Sequence, residues 1–593
     1  MPQYGHGHPE PAPAPVRGIS RRGVLLGLAA ALTAVSNLSA SPAMAAPAKV
    51  ALAAPAKVAA KLASILSAAA GGPGSHSNGL PRGLDIAVTS GRSAQGRFGL
   101  MFPSLKPFAP TDALLDALAQ QMIDRTEPLT DVILSNDGFD NPYIPAGFTY
   151  LGQFIDHDMT HDMTPLGDQK KDPQATLNFD TPFFDLGSVY GRGPALDPQL
   201  YDPADKRLMR LGVGADGLPD LPRDASGTAF VGDSRNDENL VIAQLQLAFL
   251  QLHNSFVKSG QTFQEAQRLT RWHFQWLIVN EFLPRIAGAD VVNSILSAPA
   301  GKRATVTNRF YKPKNKLRPM MPVEYSGAAY RFGHSMIRAE YEMFEHGTIP
   351  LFGGPKDLQG SRPIPDFARI DWNYFFTIPG LDNPDDRNMT RQIDTRLSLP
   401  LAELPPTVVA HVDGAILSLA KRNLVRGRQL GLPSGQDVAA AMGITPLTNA
   451  ALGLTDPAWG GKAPLWFYIL KESELGTGGL SVGPVGGRII AEVILGILAT
   501  DPASYLNAPT GWAPAASYSV GHLLVQAAAI TVQGHPLQTG VPNPKDAAAA
   551  AGVPDVPGVP AAPGVVDVRG LPAAPGVPDV RGLPTVGAPV TTG

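Results

Sequence analysis

The sequence predicts a mainly α-helical fold with many long loops, and three stretches carry this prediction. Apolar residues recur with helical period in "NLVIAQLQLAFLQLHNSF" (239–256) and in "AQRLTRWHFQWLIVNEFLPRI" (266–286), where Pro284 is expected to end the helix. The stretch "RIIAEVILGILAT" (488–500) is apolar nearly all round, which predicts a buried helix. Strand patterns are few and short.

Composition limits the classes of function. The chain of 593 residues is long enough for one large core or several domains. A formal net charge of −3 does not favour nucleic acid as a partner. The chain has no cysteine, which excludes disulfides, thiolate metal sites and cysteine nucleophiles.

The first 45 residues have the pattern of an export signal. Arg17, Arg21 and Arg22 precede an apolar run at 23–35 that is too short to span a bilayer, and "AMA" (43–45) is typical of a cleavage site. The stretch "SRRGVL" resembles a twin-arginine signal, which exports folded proteins. An ordinary secretory signal is the alternative. Both predict a secreted protein, and no membrane-spanning segment is expected in the later sequence.

Both ends of the chain differ in composition from its centre. Residues 46–80 are rich in alanine, proline, lysine and glycine, which indicates a linker with a short helix near 58–69. The motif "AAPAKV" occurs twice, at 45–50 and 53–58. Residues 545–593 repeat "AAPGVVDVRGLP" and "AAPGVPDVRGLP", which predicts an extended, disordered tail that could bind a surface or partner. One large domain is expected between them, at 81–544.

The densest polar motif is "GQFIDHDMTHD" (152–162). Consecutive residues on a helix point about 100° apart, so Asp156, His157 and Asp158 must serve three different places. A single metal ion would favour ligands at i and i+4. The spacing suits a helix that runs past a flat cofactor, with one side chain at its edge, one at its face and one turned away.

Six segments in order resemble animal-type haem peroxidases, the superfamily of myeloperoxidase, lactoperoxidase and the cyclooxygenases. They are "YLGQFIDHDMT" (150–160), "TPFFDLGSVYG" (181–191), "GDSRNDE" (232–238), "LHNSF" (252–256), "YRFGHSMI" (330–337) and "RNLVRGRQLGLP" (422–433). The resemblance covers the central domain alone. It implies the helical peroxidase fold, haem b and calcium.

The resemblance implies the catalytic residues. His157 would be the distal base that takes a proton from hydrogen peroxide and returns it to the leaving oxygen. Arg235 would stabilise the charge that develops as the O–O bond breaks. Gln153, one helical turn before His157, would line the same cavity.

The proximal residues follow in the same way. His334 would bind the haem iron as a neutral imidazole, and Asn423 would hydrogen-bond its other ring nitrogen. Arg331, one turn before His334, and Arg426, one turn after Asn423, would meet haem propionates. The alternative for the two arginines is ordinary surface ion pairs.

Covalent attachment of the haem is also implied. Asp156 and Glu238 match the two carboxylates that form esters with haem methyl groups in this family. Asn239 stands where myeloperoxidase has a methionine bound to a haem vinyl group. A third link, and with it part of the reason to expect chloride oxidation, is therefore not expected.

Asp158 would turn from the haem to a calcium ion. The loop would supply Thr181, the backbone carbonyl of Phe183, and Asp185. Gly187 replaces the usual serine, so Ser188 or water would have to substitute for its oxygen. An empty structural loop is the alternative. His161 and Asp162 are interpreted as solvated helix-end residues.

These assignments predict an oxidoreductase, a haem peroxidase that reduces hydrogen peroxide and oxidises halides, thiocyanate or small organic donors, with a role in the response to oxidative stress. A fatty-acid dioxygenase of the superfamily is one alternative. It is disfavoured because Arg331 occupies the position of the radical-forming tyrosine, and Tyr330 is one residue away. A secreted, non-catalytic adhesion protein is another, and a zinc hydrolase built on "DHDMTHD" leaves the other segments unexplained.

Overall fold

The helices predicted from apolar periodicity are present and lie at the centre of the protein. The computed structural model describes residues 98–126, 139–160, 183–299, 301–313, 319–409, 416–514, 517–529, 531–532 and 535–536. Helices dominate these residues and strands are short, so the mainly α-helical prediction is confirmed. The predicted signal, linker and tail, with Thr181, His161 and Asp162, lie outside the described residues.

The α-helices are numbered along the chain. They are α1 Asp112–Gln121, α2 Gly147–Met159, α3 Gly187–Tyr190, α4 Leu240–Lys258, α5 Phe263–Leu277, α6 Ala289–Asn293, α7 Val323–Ser326, α8 Pro406–Val409, α9 Leu419–Gln429, α10 Gly435–Met442, α11 Leu465–Thr477, α12 Pro484–Thr500 and α13 Val520–Gln526. Two 3₁₀-helical turns matter for the site, Ser234–Asp237 and Ala329–Met336.

The strands form two-stranded ribbons around the helices. They are β1 Phe98–Gly99, β2 Asp140–Pro145, β3 Gly212–Val213, β4 Pro219–Asp220, β5 Leu296–Ser297, β6 Thr305–Val306, β7 Met321–Pro322, β8 Glu340–Glu342, β9 Thr348–Pro350, β10 Met389–Arg391, β11 Thr531–Val532 and β12 His535–Pro536. The pair β1–β7 is parallel, and β2–β10, β3–β4, β5–β6, β8–β9 and β11–β12 are antiparallel.

A cluster of aromatic rings joins the three helices that position the site. Phe154 of α2 stacks on Phe249 of α4 with ring centroids 4.6 Å apart, and Phe274 of α5 meets both rings edge-on. All three side chains are fully buried. Stacked and edge-to-face ring pairs have preferred geometries. The cluster therefore fixes which face of α2 points towards α4 and α5.

The second predicted helix continues past the proline that was expected to end it. α5 leads into π-helical turns at Ile278–Phe282 and Pro284–Gly288, and the chain leaves this path at Gly288, where φ is +84°. The prediction that Pro284 ends the helix is therefore wrong. A wider π-turn changes which carbonyl each amide would reach, so a proline there does not require the chain to turn away.

Buried carboxylates anchor loops onto the helices. Glu492 of α12, which is fully buried, accepts hydrogen bonds from the backbone amides of Arg309, Phe310 and Tyr311 at 2.7–3.0 Å. Glu324 receives the amides of Met101 and Phe102 in the same way. Buried amides and carboxylates are costly unless paired, so each contact ties a distant loop to the core.

Among the described helices, α4 alone is long and apolar enough to meet the composition expected of a membrane span. Almost all of it is buried between neighbouring elements, including α2 and α5. A core helix of a large protein shows the same composition.

Acid should destabilise the fold through its buried histidines. Burial lowers the pKa of His253 and of His273 to about 4, below the ordinary value of about 6.5. Stability from these groups is complete above about pH 6.5 and is lost as the pH falls through about 4, because the unfolded chain binds the extra protons. The unfolding free energy of His273→Phe, measured by urea titration at several pH values, should depend less steeply on pH between about 4 and 6.5. The expected reduction in slope is up to about 1.4 kcal/mol per pH unit. An unchanged slope would contradict it.

Loss of the Glu492 carboxylate should weaken the fold more than loss of a surface charge. Glu492→Gln leaves at least one buried amide facing another donor, and we expect a loss of about 1–3 kcal/mol of unfolding free energy. The control is Glu265→Gln, which breaks a half-buried pair with Arg268 on α5 and should cost about 1 kcal/mol or less. If urea unfolding gave equal losses of unfolding free energy for the two variants, the contacts of Glu492 with the backbone amides would contribute no more than a surface ion pair.

Candidate functional site

Helix α2 is buried along most of its length. Its last two turns nevertheless carry four polar side chains: Gln153, Asp156, His157 and Asp158. Gln153, Asp156 and His157 line a cavity of about 320 Å³, with Gln153 one helical turn before His157. Asp158 is fully buried and points elsewhere, towards residues 186–187. Asp158 is therefore turned away from the cavity that the other three side chains line.

The cavity is lined by predicted residues from three separate parts of the chain. Glu238 comes from the turn before α4, and Arg331 and His334 come from the 3₁₀-helical turn Ala329–Met336. Much of the remaining lining is apolar, including Phe148, Phe352, Leu351, Leu404 and Leu419. A mainly apolar pocket with a few convergent polar groups is typical of a small-molecule or cofactor site.

His157 contacts an amide that the sequence analysis did not single out. Its Nδ1 lies 2.6 Å from Oδ1 of Asn236, whose Nδ2 donates to Oε1 of Gln246 at 2.8 Å. Both amide side chains are fully buried. The signal that could have found Gln246 is its polarity in the apolar helix α4, and Asn236 lies beside the predicted Arg235.

Glu238 lies within a small polar network at the cavity. Its Oε1 accepts a short hydrogen bond from Nε2 of Gln153 and lies 3.7 Å from Nε2 of His157. Asn239 donates to Oε1 of Gln153 at 3.1 Å and caps α4 by accepting from the amide of Ile242. Burial raises the pKa of Glu238 to about 7, against the opposing charge of Arg235.

Arg235 has a different orientation from the one its predicted role requires. Its Nη2 donates to a carboxylate oxygen of Asp233 at 2.7 Å and to the carbonyl of His157 at 3.0 Å. Among described residues, it does not line the larger cavity. It lines a second one of about 110 Å³ with Arg331, Arg426 and Asp156.

The second cavity is lined by three arginine side chains and the carboxylate of Asp156. Asp156 accepts from the hydroxyl of Thr160 at 2.9 Å, and burial raises the pKa of Asp156 while Arg235 and Arg331 oppose this shift. Three guanidinium groups around a small polar space are suited to bind anionic groups. Arg331 and Arg426, predicted separately from the sequence, therefore do lie together.

His334 lies against the predicted asparagine. Nδ1 of His334 is 2.8 Å from Nδ2 of Asn423, and Oδ1 of Asn423 accepts from Arg331 at 3.3 Å. The carbonyl of Arg331 accepts from the indole of Trp466 at 3.1 Å, which holds this turn against α11. Burial, with the charges of Arg331 and Arg426, lowers the pKa of His334 to about 3, so its ring is neutral at physiological pH.

The predicted calcium residues converge in part. Asp158 accepts from the amides of Leu186 and Gly187 at 2.9 and 2.8 Å, and Asp185 accepts from the same Gly187 amide at 3.2 Å. Phe183 is half-buried. The hydroxyl of Ser188 is buried without a hydrogen-bond partner in the part of the chain that the structure describes. Within these residues no three acidic or histidine side chains group closely enough to hold a metal.

Comparison with known proteins relates this chain to peroxidases. A sequence model of the animal haem peroxidase family matches residues 164–456, which include Glu238, His334 and Asn423 but begin after α2. A peroxidase-like protein of Margaritifera margaritifera is 24% identical over 44% of this chain and 40% of its own length. Chorion peroxidase of Drosophila melanogaster is 26% identical over 54% of this chain and 40% of its own length.

A solved structure supports the fold. Peroxidase A of Dictyostelium discoideum superposes with a TM-score of 0.51 at 16% identity, over 76% of this chain and 96% of that one. The chain spans about 40% of the length of the two curated relatives. The family match and these relatives lead to one conclusion: residues 164–456 of this chain match the animal haem peroxidase family, and the chain is similar to peroxidases over about half of its length.

Proposed function

We propose that this protein is a haem peroxidase that reduces hydrogen peroxide and oxidises halides, thiocyanate or small organic donors. The observation that carries the proposal is the convergence of His157, Gln153, Glu238 and His334 on one buried cavity. His334 is a neutral imidazole in a buried setting, which is the form that binds iron. When bound, haem would supply the redox chemistry of its iron with peroxide and the reductant.

The chain's residues fit haem in three respects. His334 would ligate iron through Nε2, which requires Nδ1–H to donate to Oδ1 of Asn423 after a half-turn of that amide. Arg331 and Arg426 line the polar cavity beside it, where propionates would find positive charge. Asp156 and Glu238 both face the larger cavity, where ester links to haem would form.

Proton transfer would be the task of His157. Nε2 of His157 would take the first proton of hydrogen peroxide and return it to the leaving oxygen, as a general base and then a general acid. Gln153 and Glu238 border the same space and would orient the peroxide. For Arg235 to stabilise developing charge, its guanidinium would have to rotate from Asp233; in the described arrangement it positions His157 through the backbone carbonyl.

We further propose a calcium ion at the loop 183–188. Its support is the meeting of Asp158 and Asp185 at the Gly187 amide, with the buried Ser188 hydroxyl nearby in sequence. The carboxylate oxygens each have further lone pairs beyond the amide bonds that they accept. Secretion through the N-terminal signal and partner binding by the repetitive tail remain proposals from the sequence.

Absorbance spectroscopy on protein made with haem supplied tests the proposed function. We expect a Soret band that shifts on one equivalent of hydrogen peroxide and recovers on bromide or iodide. His157→Ala should keep the band and lose about 10²- to 10⁴-fold in the rate of the peroxide shift. His273→Phe, at a buried histidine remote from this network, is the control and should react normally. A folded protein without a Soret band would refute the proposal.

Haem extraction tests the ester links separately. After peroxide treatment, acid–acetone should fail to extract haem from the unaltered protein. Asp156→Asn with Glu238→Gln should release all of it, because neither amide can form the ester, and each single variant should keep one link. Asp237→Asn, next to Glu238 but paired with Arg223, is the matched control and should retain haem. Ready extraction from the unaltered protein would show that no ester forms.

A further inference from the structure

We propose that Asn236 and Gln246 are positioning residues that hold His157 in the tautomer protonated on Nδ1, so that Nε2 is the proton acceptor on the cavity side. Three buried side chains and one backbone carbonyl form this hydrogen-bonded series. Its catalytic meaning rests on the proposed function, whereas the tautomer itself is a property of the protein alone.

The direction of the series is set at its far end. Nε2 of Gln246 lies 3.0 Å from the carbonyl oxygen of Ser188. A carbonyl oxygen can accept a hydrogen bond but cannot donate one. The amide nitrogen of Gln246 must therefore face Ser188, and Oε1 of Gln246 must face the other way, towards Asn236.

The orientation of the Gln246 amide determines the donor and acceptor of each remaining hydrogen bond. Oε1 of Gln246 can only accept, so Nδ2 of Asn236 donates to it at 2.8 Å. The remaining amide atom of Asn236, Oδ1, then lies 2.6 Å from Nδ1 of His157. Since Oδ1 carries no hydrogen, Nδ1 must carry the proton in this bond.

Because the series is buried, its hydrogen bonds cannot easily reverse their donor–acceptor direction. Asn236, Gln246 and Ser188 are fully buried, and His157 is 5% exposed. Reversal of the Gln246 amide would put its Oε1 against the Ser188 carbonyl and its Nε2 against Nδ2 of Asn236. Reversal of the Asn236 amide would put its Oδ1 against Oε1 of Gln246, and two buried acceptors that face each other are costly. One tautomer of His157 is therefore favoured by contacts up to two side chains away.

The far end is itself held in place. The carbonyl of Ser188 also accepts from the amide of Gly232 at 2.8 Å. The loop before it is fastened to Asp158, whose carboxylate accepts from the amides of Leu186 and Gly187. Asp158 follows His157 in the chain, so the series closes on the same helix from which it starts.

With Nδ1 of His157 protonated, the free lone pair of the ring lies on Nε2. This atom is 3.7 Å from Oε1 of Glu238, which lines the cavity. A base must present a lone pair to the proton that it takes, and the Nδ1–H tautomer places that lone pair on Nε2. In the other tautomer Nε2 would carry a hydrogen and could not begin the transfer.

Nitrogen NMR on histidine-labelled protein reads the tautomer directly. The sample is the full-length protein as purified, converted, where it carries haem, to the diamagnetic ferrous–carbon monoxide state. A His157→Gln sample assigns the signals. We expect a protonated Nδ1 and a bare Nε2 for His157, and a bare Nδ1 would overturn the inference.

Substitutions test the two amides. Asn236→Leu should raise the population of the Nε2–H form and reduce the rate of reaction with peroxide by at least about 100-fold. Gln246→Leu frees the Asn236 amide to turn and should cause a smaller loss, about tenfold. Asn236→Asp keeps an atom that can only accept from Nδ1, so it should retain the native tautomer, although its second oxygen faces Oε1 of Gln246 and should lower stability. It serves with Gln246→Leu if Asn236→Leu does not fold.

Gln244→Leu is the matched control. Gln244 is a buried glutamine on the same helix, but it donates to the carbonyls of Leu240 and Ala368 and accepts from Ile370. Its loss should lower stability without changing the tautomer of His157. Equal tautomer changes in Gln244→Leu and Gln246→Leu would overturn the inference, as would a native tautomer and rate in Asn236→Leu.

The inference and the proposed function fail in different ways. An unaltered protein with the Nδ1–H signature but no reaction with peroxide would support the inference and refute the peroxidase proposal. A reactive protein whose His157 is protonated on Nε2 would refute the inference and leave the peroxidase proposal standing.

Discussion

The site depends on one constraint: a helix buried in an apolar core carries polar side chains, and each must find a partner there. Phe154 packs α2 against α4 and α5 by ring stacking, and the neighbouring side chains of His157 and Asp158 are buried with it. Gln153 is paired with Glu238, His157 with Asn236, and Asp158 with two backbone amides. The partners are therefore as much a part of the site as the predicted residues.

These partners bind together segments that are far apart in the chain. Residues 186–188 and 232–246 meet α2 and each other through hydrogen bonds, some of them fully buried. Such networks are strong when complete and costly when one member is missing. A rigid setting for His157 follows, because its ring is held at Nδ1 while its backbone carbonyl is held by Arg235.

Charge is distributed unevenly between the two cavities. The larger one is mostly apolar, with His157 and His334 both on its lining, while the smaller one has three arginines around Asp156. Burial disfavours the charged form of His334, and the positive charge of Arg331 and Arg426 adds to this effect, so the pKa of His334 is low. An apolar space beside a positive one suits a ligand with a flat apolar body and anionic groups at one edge, as haem has.

The sequence by itself determined the helical class and the buried helices α4 and α12, because hydrophobic periodicity is a local property. The candidate site residues came from a family resemblance carried by short motifs. Domain boundaries and residue roles remain predictions. Only the tertiary structure decided how α5 passes Pro284, where the guanidinium of Arg235 points and which amides support His157. Those outcomes depend on partners such as Ser188, Asp233 and Gln246, and a hydrogen bond between distant residues exists only after packing has brought both atoms within about 3 Å of each other.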